Sequence, residues 1–130
     1  MILFLDTISP KPTFSIIKDN IVIHSIQILN KKNIKISDSL IPTFLEIKKK
    51  IKTLNNIDKL IVGTGPGSYT ALRVGIGFMF GLSFSTNIPL IGISYPEILK
   101  NFITSKVLKK SLVMICSTND QNYLYFYDND

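Results

Sequence analysis

Between Lys59 and Glu97 the chain carries a single charged side chain, Arg73. A stretch so poor in charge must be covered, by protein or by lipid. Val74 to Pro96 has no charge at all, and within it Gly77, Gly81 and Ser85 form a ladder of small residues at four-residue spacing, as in membrane helices that approach closely. Thr86-Asn87 and Pro89 cut this stretch in two. The first part has the length of a buried helix, and Pro89-Leu-Ile-Gly-Ile93 reads as a short strand. The sequence therefore predicts a buried helix followed by a buried strand rather than a membrane span. No secretory signal is expected either, because Asp6 interrupts the apolar start and neither a basic leader nor a small-residue cleavage site accompanies it.

The segments on either side of this stretch set the fold class. Ile2-Leu-Phe-Leu5 is a continuous apolar run suited to a strand covered on both faces. Thr13–Lys18 and Ile21–Ile28 are rich in β-branched residues, and Asp19-Asn20 between them is a two-residue hairpin turn, since both residue types tolerate left-handed backbone. A helix is expected next, capped near Ser37 or Ser39 with Pro42 in its first turn. Leu40, Phe44, Ile47, Ile51 and Leu54 recur at alternating four- and three-residue spacing and share one face, widened by Ile41 and Leu45. Asp58–Gly63 reads as a strand, 68–86 as a helix, Leu90–Ile93 as a strand, and Tyr95 or Pro96 opens a helix reaching about Ile103. Leu112–Cys116 and Tyr123–Tyr127 read as two further strands. Three strands followed by helix-strand-helix-strand-helix is an α/β domain with a mixed sheet, βββαβαβα, and the last strand pair stands apart from that alternation.

Composition narrows the chemistry. The 130 residues suffice for one domain with a core. Cys116 is the sole cysteine, which excludes an intrachain disulfide and a cysteine-based zinc site and suits a reducing cytosol, so a cytoplasmic location is expected. His24 is the sole histidine, so two-histidine metal motifs are excluded, and it reads as a strand histidine rather than a catalyst. No catalytic residue, metal site or cofactor is assigned. The net charge of +6 comes from lysines spread through the chain, with clusters at Lys31-Lys32-Lys35, Lys48-Lys49-Lys50-Lys52 and Lys106-Lys109-Lys110. Such a field gives non-specific attraction to polyanions without marking a site.

The strand ending at Gly63 runs into Thr64-Gly-Pro-Gly-Ser-Tyr-Thr70 at a helix start, a geometry that favours anions. The residues nevertheless fit neither common nucleotide pattern. A P-loop requires Gly-Lys-Ser/Thr, and no lysine lies between Lys59 and Lys100. A dinucleotide fingerprint requires a glycine at Ser68 and an acid about twenty residues on, and no acid lies between Asp58 and Glu97. The helix that follows carries Gly75, Gly77 and Gly81, each costing roughly 1 kcal/mol relative to alanine. Another backbone must approach closely, with Phe78, Met79, Phe80, Leu82 and Phe84 around it. That backbone is either this domain's own sheet or a partner's helices, and the residues alone leave both open.

The string Gly65-Pro66-Gly67-Ser68-Tyr69-Thr70-Ala71-Leu72-Arg73-Val74-Gly75 closely resembles the signature of the TsaB (YeaZ) family. Leu3-Phe-Leu-Asp6-Thr7 and Ile88-Pro-Leu-Ile-Gly-Ile-Ser94 agree with it, so the resemblance covers most of residues 1 to 104. It implies a fold of the actin, Hsp70 and sugar-kinase (ribonuclease H-like) type. It also implies a subunit without catalysis of its own, supporting the synthesis of N6-threonylcarbamoyladenosine at position 37 of tRNA. The implied partner is TsaD, with TsaE joining the TsaD assembly, a homodimer forming through the same helices when TsaD is absent, and tRNA engaged indirectly. By this resemblance the partner surface is Leu40, Phe44, Ile47 and Ile51 of the first helix with Gly77, Phe78 and Gly81 of the second, while Ser68 and Arg73 organise the turn and the junction.

The sequence departs from the family pattern at Ile36-Ser37, where a His-Ser pair is usual, at Tyr69 and Ala71, where Phe and Gly are usual, and at Ser117-Thr118-Asn119, where Asp-Ala-Arg is usual. Members generally continue into a second domain of the same type. The expectation is therefore a TsaB-like N-terminal domain over 1–107, with 108–130 as the hairpin that starts a shortened second domain. Two other functions compete: a small enzyme of the same superfamily, nucleotide-hydrolysing or peptidase-like, using Asp6 and the 65–70 turn, and a direct tRNA-binding module using the lysines.

Overall fold

The structure, a computed structural model, describes residues 1–28, 35–51, 53–100, 112–117 and 122–127. β1 (Ile2–Asp6), β2 (Thr13–Lys18) and β3 (Ile21–Gln27) form an antiparallel meander. Asp19 and Asn20 close its second turn at φ 51° and 62°, the left-handed conformation the turn requires. β4 (Lys59–Gly63) then pairs parallel to β1, and β5 (Leu90–Ile93) parallel to β4, giving the sheet order β3-β2-β1-β4-β5. Parallel partners need crossovers, and these are α1 (Ile36–Lys48) and α2 (Tyr69–Thr86). The mixed α/β sheet expected from the sequence is the one observed.

Alternate residues of the central strands turn toward the two helices. Leu3, Leu5, Phe14, Ile16, Leu60 and Val62 are buried there, together with Leu40, Phe44 and Ile47 of α1 and Met79 of α2. Phe14, Phe44 and Phe78 meet at ring-centroid distances of 5.0 to 5.9 Å, in tilted and edge-to-face geometry, where β2, α1 and α2 converge. On the opposite face Ile2, Phe4, Ile17 and Ile61 are half-buried. On this face β1 is half-buried rather than fully covered among the described residues, because α1 and α2 both pack on the other side of the sheet. β5 likewise forms as expected but lies at the edge, with Ile91 44% exposed, so it is not the buried strand that its apolar sequence predicts.

α1 starts earlier than the serines suggest. Its cap residue is Lys35, with no side-chain cap, and Pro42 sits inside the helix rather than in its first turn. Ile36 packs against the core, so apolar packing rather than capping chemistry sets this end. The helix stops at Lys48, and Leu54 lies in a short 3₁₀ turn, Leu54–Asn56, that leads into β4. α3 (Tyr95–Lys100) follows β5, and its expected extension to Ile103 lies outside the described residues. β6 (Leu112–Ser117) and β7 (Asn122–Tyr127) pair antiparallel with each other in a separate two-stranded sheet. The expected domain division at 107/108, Thr118-Asn119, and the lysines at 31, 32, 52, 106, 109 and 110 lie outside the described residues.

Candidate functional site

The turn after β4 is fastened on three sides. Gly65 has a φ of +107°, which favours glycine, and its peptide bond to Pro66 is cis. Its carbonyl accepts the Tyr95 N–H at 2.8 Å, and the Thr64 N–H donates to the Ile93 carbonyl at 2.9 Å, so the turn is tied to β5 and the start of α3. A side chain on Gly67 would meet Cγ2 of Ile8 at 2.4 Å, so the β1–β2 loop packs directly on the turn. That loop is itself closed by Asp6, whose Oδ1 accepts the N–H groups of Ile8 and Ser9 at 2.9 and 3.1 Å. Asp6 and the 65–70 turn are thus neighbours through Ile8, with Asp6 holding a turn. Ser68 caps α2 by accepting the Ala71 N–H at 3.5 Å. Outside the turn lies an open cleft of about 550 Å³, lined by Pro66, Gly67, Tyr69, Leu72, Tyr123 and Tyr125 among others.

α2 has two faces of different character. Inward, Ala71, Gly75 and Met79 are buried. A side chain on Gly75 would meet Thr7 at 2.6 Å from Cγ2 and 2.9 Å from Oγ1, so here the close approach is to this domain's own β1 end. The Thr7 hydroxyl is buried in that contact without a hydrogen-bond partner among the described residues. Outward, Tyr69, Arg73, Gly77, Phe80, Gly81 and Phe84 follow the helical repeat along one exposed stripe. Phe80 is 65% and Phe84 82% exposed, and nothing lies within 4 Å of a side chain placed on Gly77 or Gly81. At the top of the stripe the Arg73 guanidinium lies 5.3 Å from the Tyr69 ring centroid, a cation–π contact that fixes the charge beside the turn.

The partner-surface residues expected from the sequence therefore divide. Gly77 and Gly81 face outward. Leu40, Phe44, Ile47 and Ile51 are buried in the core, so these four do not present a surface to a partner, and Phe78 is half-buried in the aromatic triad. The reason is geometric: a helix turns one stripe toward the sheet, and the broadest apolar stripe of α1 is used there. What α1 leaves exposed is Ile41 and Leu45, at 56% and 51%. His24 is exposed on the edge strand β3. Among the described residues no group of three His, Cys, Asp or Glu could hold a metal ion, and no helix is long and apolar enough to cross a membrane.

The sequence profile of the family described as "TsaD: tRNA N6-adenosine threonylcarbamoyltransferase" matches residues 32–126. The chain belongs to this family. A tRNA N6-adenosine threonylcarbamoyltransferase of Clostridium botulinum is 30% identical over 102 residues, which make up 77% of this chain and 29% of that protein. The Haemophilus influenzae protein "tRNA threonylcarbamoyladenosine biosynthesis protein TsaB" is 51% identical over 41 residues, 32% of this chain and 17% of that protein. The chain spans about 29% of the length of the transferases it matches. Among solved structures, YeaZ from Pseudomonas aeruginosa superposes with a TM-score of 0.72 at 19% identity, covering 99% of this chain and 60% of that chain. The resemblance to TsaB and YeaZ carried by the signature turn, and the fold it implies, are borne out.

Three features escaped the sequence reading. Ser94 and Glu97 cap α3 reciprocally: Glu97 accepts the Ser94 N–H at 2.9 Å and the Ser94 hydroxyl at 2.7 Å, while the Glu97 N–H points to Ser94 Oγ at 3.4 Å. The backbone bond from Ser94, and then its hydroxyl, hold the Glu97 carboxyl below its ordinary pKa. The spacing Ser94-x-x-Glu97 is a capping-box signature and was available in the sequence. Thr7 and Ile8, which fix α2 and the turn to β1, carry no local signal because their contacts come from distant chain.

Proposed function

We propose that the chain is a non-catalytic docking subunit for threonylcarbamoyladenosine formation on tRNA, binding TsaD and supporting its transfer of the threonylcarbamoyl group to adenosine 37. The observation that carries this reading is the outer stripe of α2, where two glycines with open space above them lie beside exposed Phe80 and Phe84. An exposed helix loses stability at each glycine, roughly 1 kcal/mol against alanine. The loss is offset if a second helix is to lie close across Gly77 and Gly81, with the phenylalanines packing around the crossing. Ile41 and Leu45 of α1 extend the docking face, and Arg73 braces its upper end. In this reading Ser68 and Arg73 shape the junction, a homodimer uses the same face when TsaD is absent, TsaE joins through the TsaD assembly, and the complex works in the cytoplasm.

Co-expression with TsaD of the same organism, followed by affinity capture and size determination, tests this. Gly81→Trp is expected to weaken the complex at least thirtyfold, the scale of a hot-spot residue, while the urea midpoint of the isolated chain does not fall. A complex that survives this change unaltered rejects the docking face. Calorimetric titration with ATP, with and without magnesium, addresses the enzymatic reading. Saturable heat abolished by Asp6→Asn would reject the non-catalytic role.

A further inference from the structure

The exposed stripe of α2 carries one charge. Arg73 is the sole ionised side chain of the helix, and no acid of α2 answers it. Its guanidinium is exposed and enters no ion pair among the described residues. The Tyr69 ring, with its centroid 5.3 Å away, holds it in place instead. Thr70, exposed and one turn from Arg73 along the same stripe, sets a hydroxyl beside it. Thr70, Arg73 and Val74 together line an open hollow of about 300 Å³. Gly77, one turn further along, leaves the approach to this hollow clear, because nothing lies within 4 Å of a side chain placed there.

A guanidinium is planar and offers paired N–H donors, a geometry matched by the oxygens of a carboxylate or a phosphate. The rest of the stripe decides between them. Phe80 and Phe84 follow Arg73 along it, 65% and 82% exposed, and apolar area of that kind is covered by protein rather than by a phosphate backbone. Once it is covered, Arg73 loses water as well, and a desolvated charge needs an opposite charge to meet it. The acids nearest to it in the sequence are already engaged, Asp58 by the Met1 amino group and Glu97 by Ser94. Asp6 is turned to the Ile8 and Ser9 amides. The counter-charge therefore comes from the partner.

We infer that the hollow at Arg73 receives a carboxylate side chain of the docking partner, and that this pair makes the face prefer TsaD to a second copy of the chain. The inference rests on the docking reading above. Two α2 helices crossing at Gly77 and Gly81 bring Arg73 against a helix that holds no acid, so a homodimer leaves the charge unanswered. Calorimetric titration with TsaD at several KCl concentrations, and sedimentation equilibrium of the chain alone, test this. Arg73→Gln is expected to weaken the TsaD complex roughly thirtyfold or more, the scale for a desolvated charge pair that loses one member, and to flatten its salt dependence. Arg73→Lys keeps the charge, loses the paired donors and falls between. The homodimer is expected to tighten or to stay within about threefold of wild type, and a chain that is monomeric throughout supports the preference outright. Equal weakening of homodimer and complex overturns the inference, as does a TsaD affinity that Arg73→Gln leaves unchanged. The urea midpoint of the isolated chain is expected to hold; a fall that parallels the loss of TsaD overturns the inference in favour of a purely structural arginine. Fluorescein-labelled tRNA that binds the isolated chain more weakly after Arg73→Gln, with TsaD affinity held, overturns it in favour of a phosphate. Gly81→Trp separates the two readings: if it abolishes capture of TsaD and Arg73→Gln does not, the docking face stands and the carboxylate falls, and if neither does, both fall.

Discussion

The two faces of α2 use the same residue for opposite purposes. On the inner face Gly75 lies so close to Thr7 that no side chain fits, and the glycine serves the domain's own packing. On the outer face Gly77 and Gly81 have open space where a side chain would go, and in the isolated chain they only weaken the helix. Small residues in a helix thus have at least two causes, and their spacing in sequence does not tell them apart. The distinction lies in what stands opposite: the end of β1 in one case, and in the other a surface flanked by Phe80 and Phe84.

This contrast breaks or stands on a graded set of substitutions. The largest effect is expected from Gly75→Val, which drives methyl groups into Thr7 and should cost the isolated chain about 3 kcal/mol, read as a lowered urea midpoint. Next comes the pair Phe80→Ser with Phe84→Ser. It should leave the chain's stability within about 0.5 kcal/mol of wild type, as surface changes do, while weakening capture of TsaD by about 2 kcal/mol or more. A smaller effect of opposite sign separates the glycines: Gly77→Ala and Gly81→Ala should each raise stability by up to about 1 kcal/mol in thermal or urea unfolding. If either lowers it, the outer face is not open.

The smallest effect belongs to α3, remote from the contrast, and serves as its control. The Glu97 carboxyl is held below its ordinary value, so its contribution is present above about pH 4.3, the usual glutamate range, and is lost as pH falls through the depressed folded value. The difference in urea midpoint between wild type and Glu97→Gln should therefore shrink on acidification and leave TsaD capture untouched.

Much of the fold was legible because its signals are local. Asp19-Asn20 announced a hairpin through the backbone those residues accept, the repeat through Leu40, Phe44 and Ile47 announced a helix with one buried face, and the run from Gly63 to Ser68 marked where a strand gives way to a helix. What stayed hidden depends on partners distant in the chain. Periodicity shows that a stripe exists but not which neighbour it meets: Leu40, Phe44, Ile47 and Ile51 are core, as one apolar helix face suggests, and the partner surface that the family resemblance implies for them is buried. The start of α1 at Ile36 was missed for a similar reason, since packing rather than a cap sets it. In the candidate site the turn and the outward glycines were visible in sequence, whereas Thr7 against Gly75 and Ile8 against Gly67 required the sheet to bring residues more than fifty positions apart into contact.

The central place of β1 has a consequence for how the molecule assembles in time. Its pairing with β2 closes within the first eighteen residues, but its pairing with β4 joins Leu3 to Leu60, and β4 meets β5 only at Leu90. Local contacts form sooner than distant ones, because a long loop must first lose its freedom. In a pulse-labelled refolding experiment the amides of the meander are therefore expected to gain protection from exchange before those of β4 and β5. α2, strung between those two late strands, settles against β1 near the end of the process. Until that step the Thr7 hydroxyl remains hydrated, so shedding its water is among the last events that commit the chain to its native form.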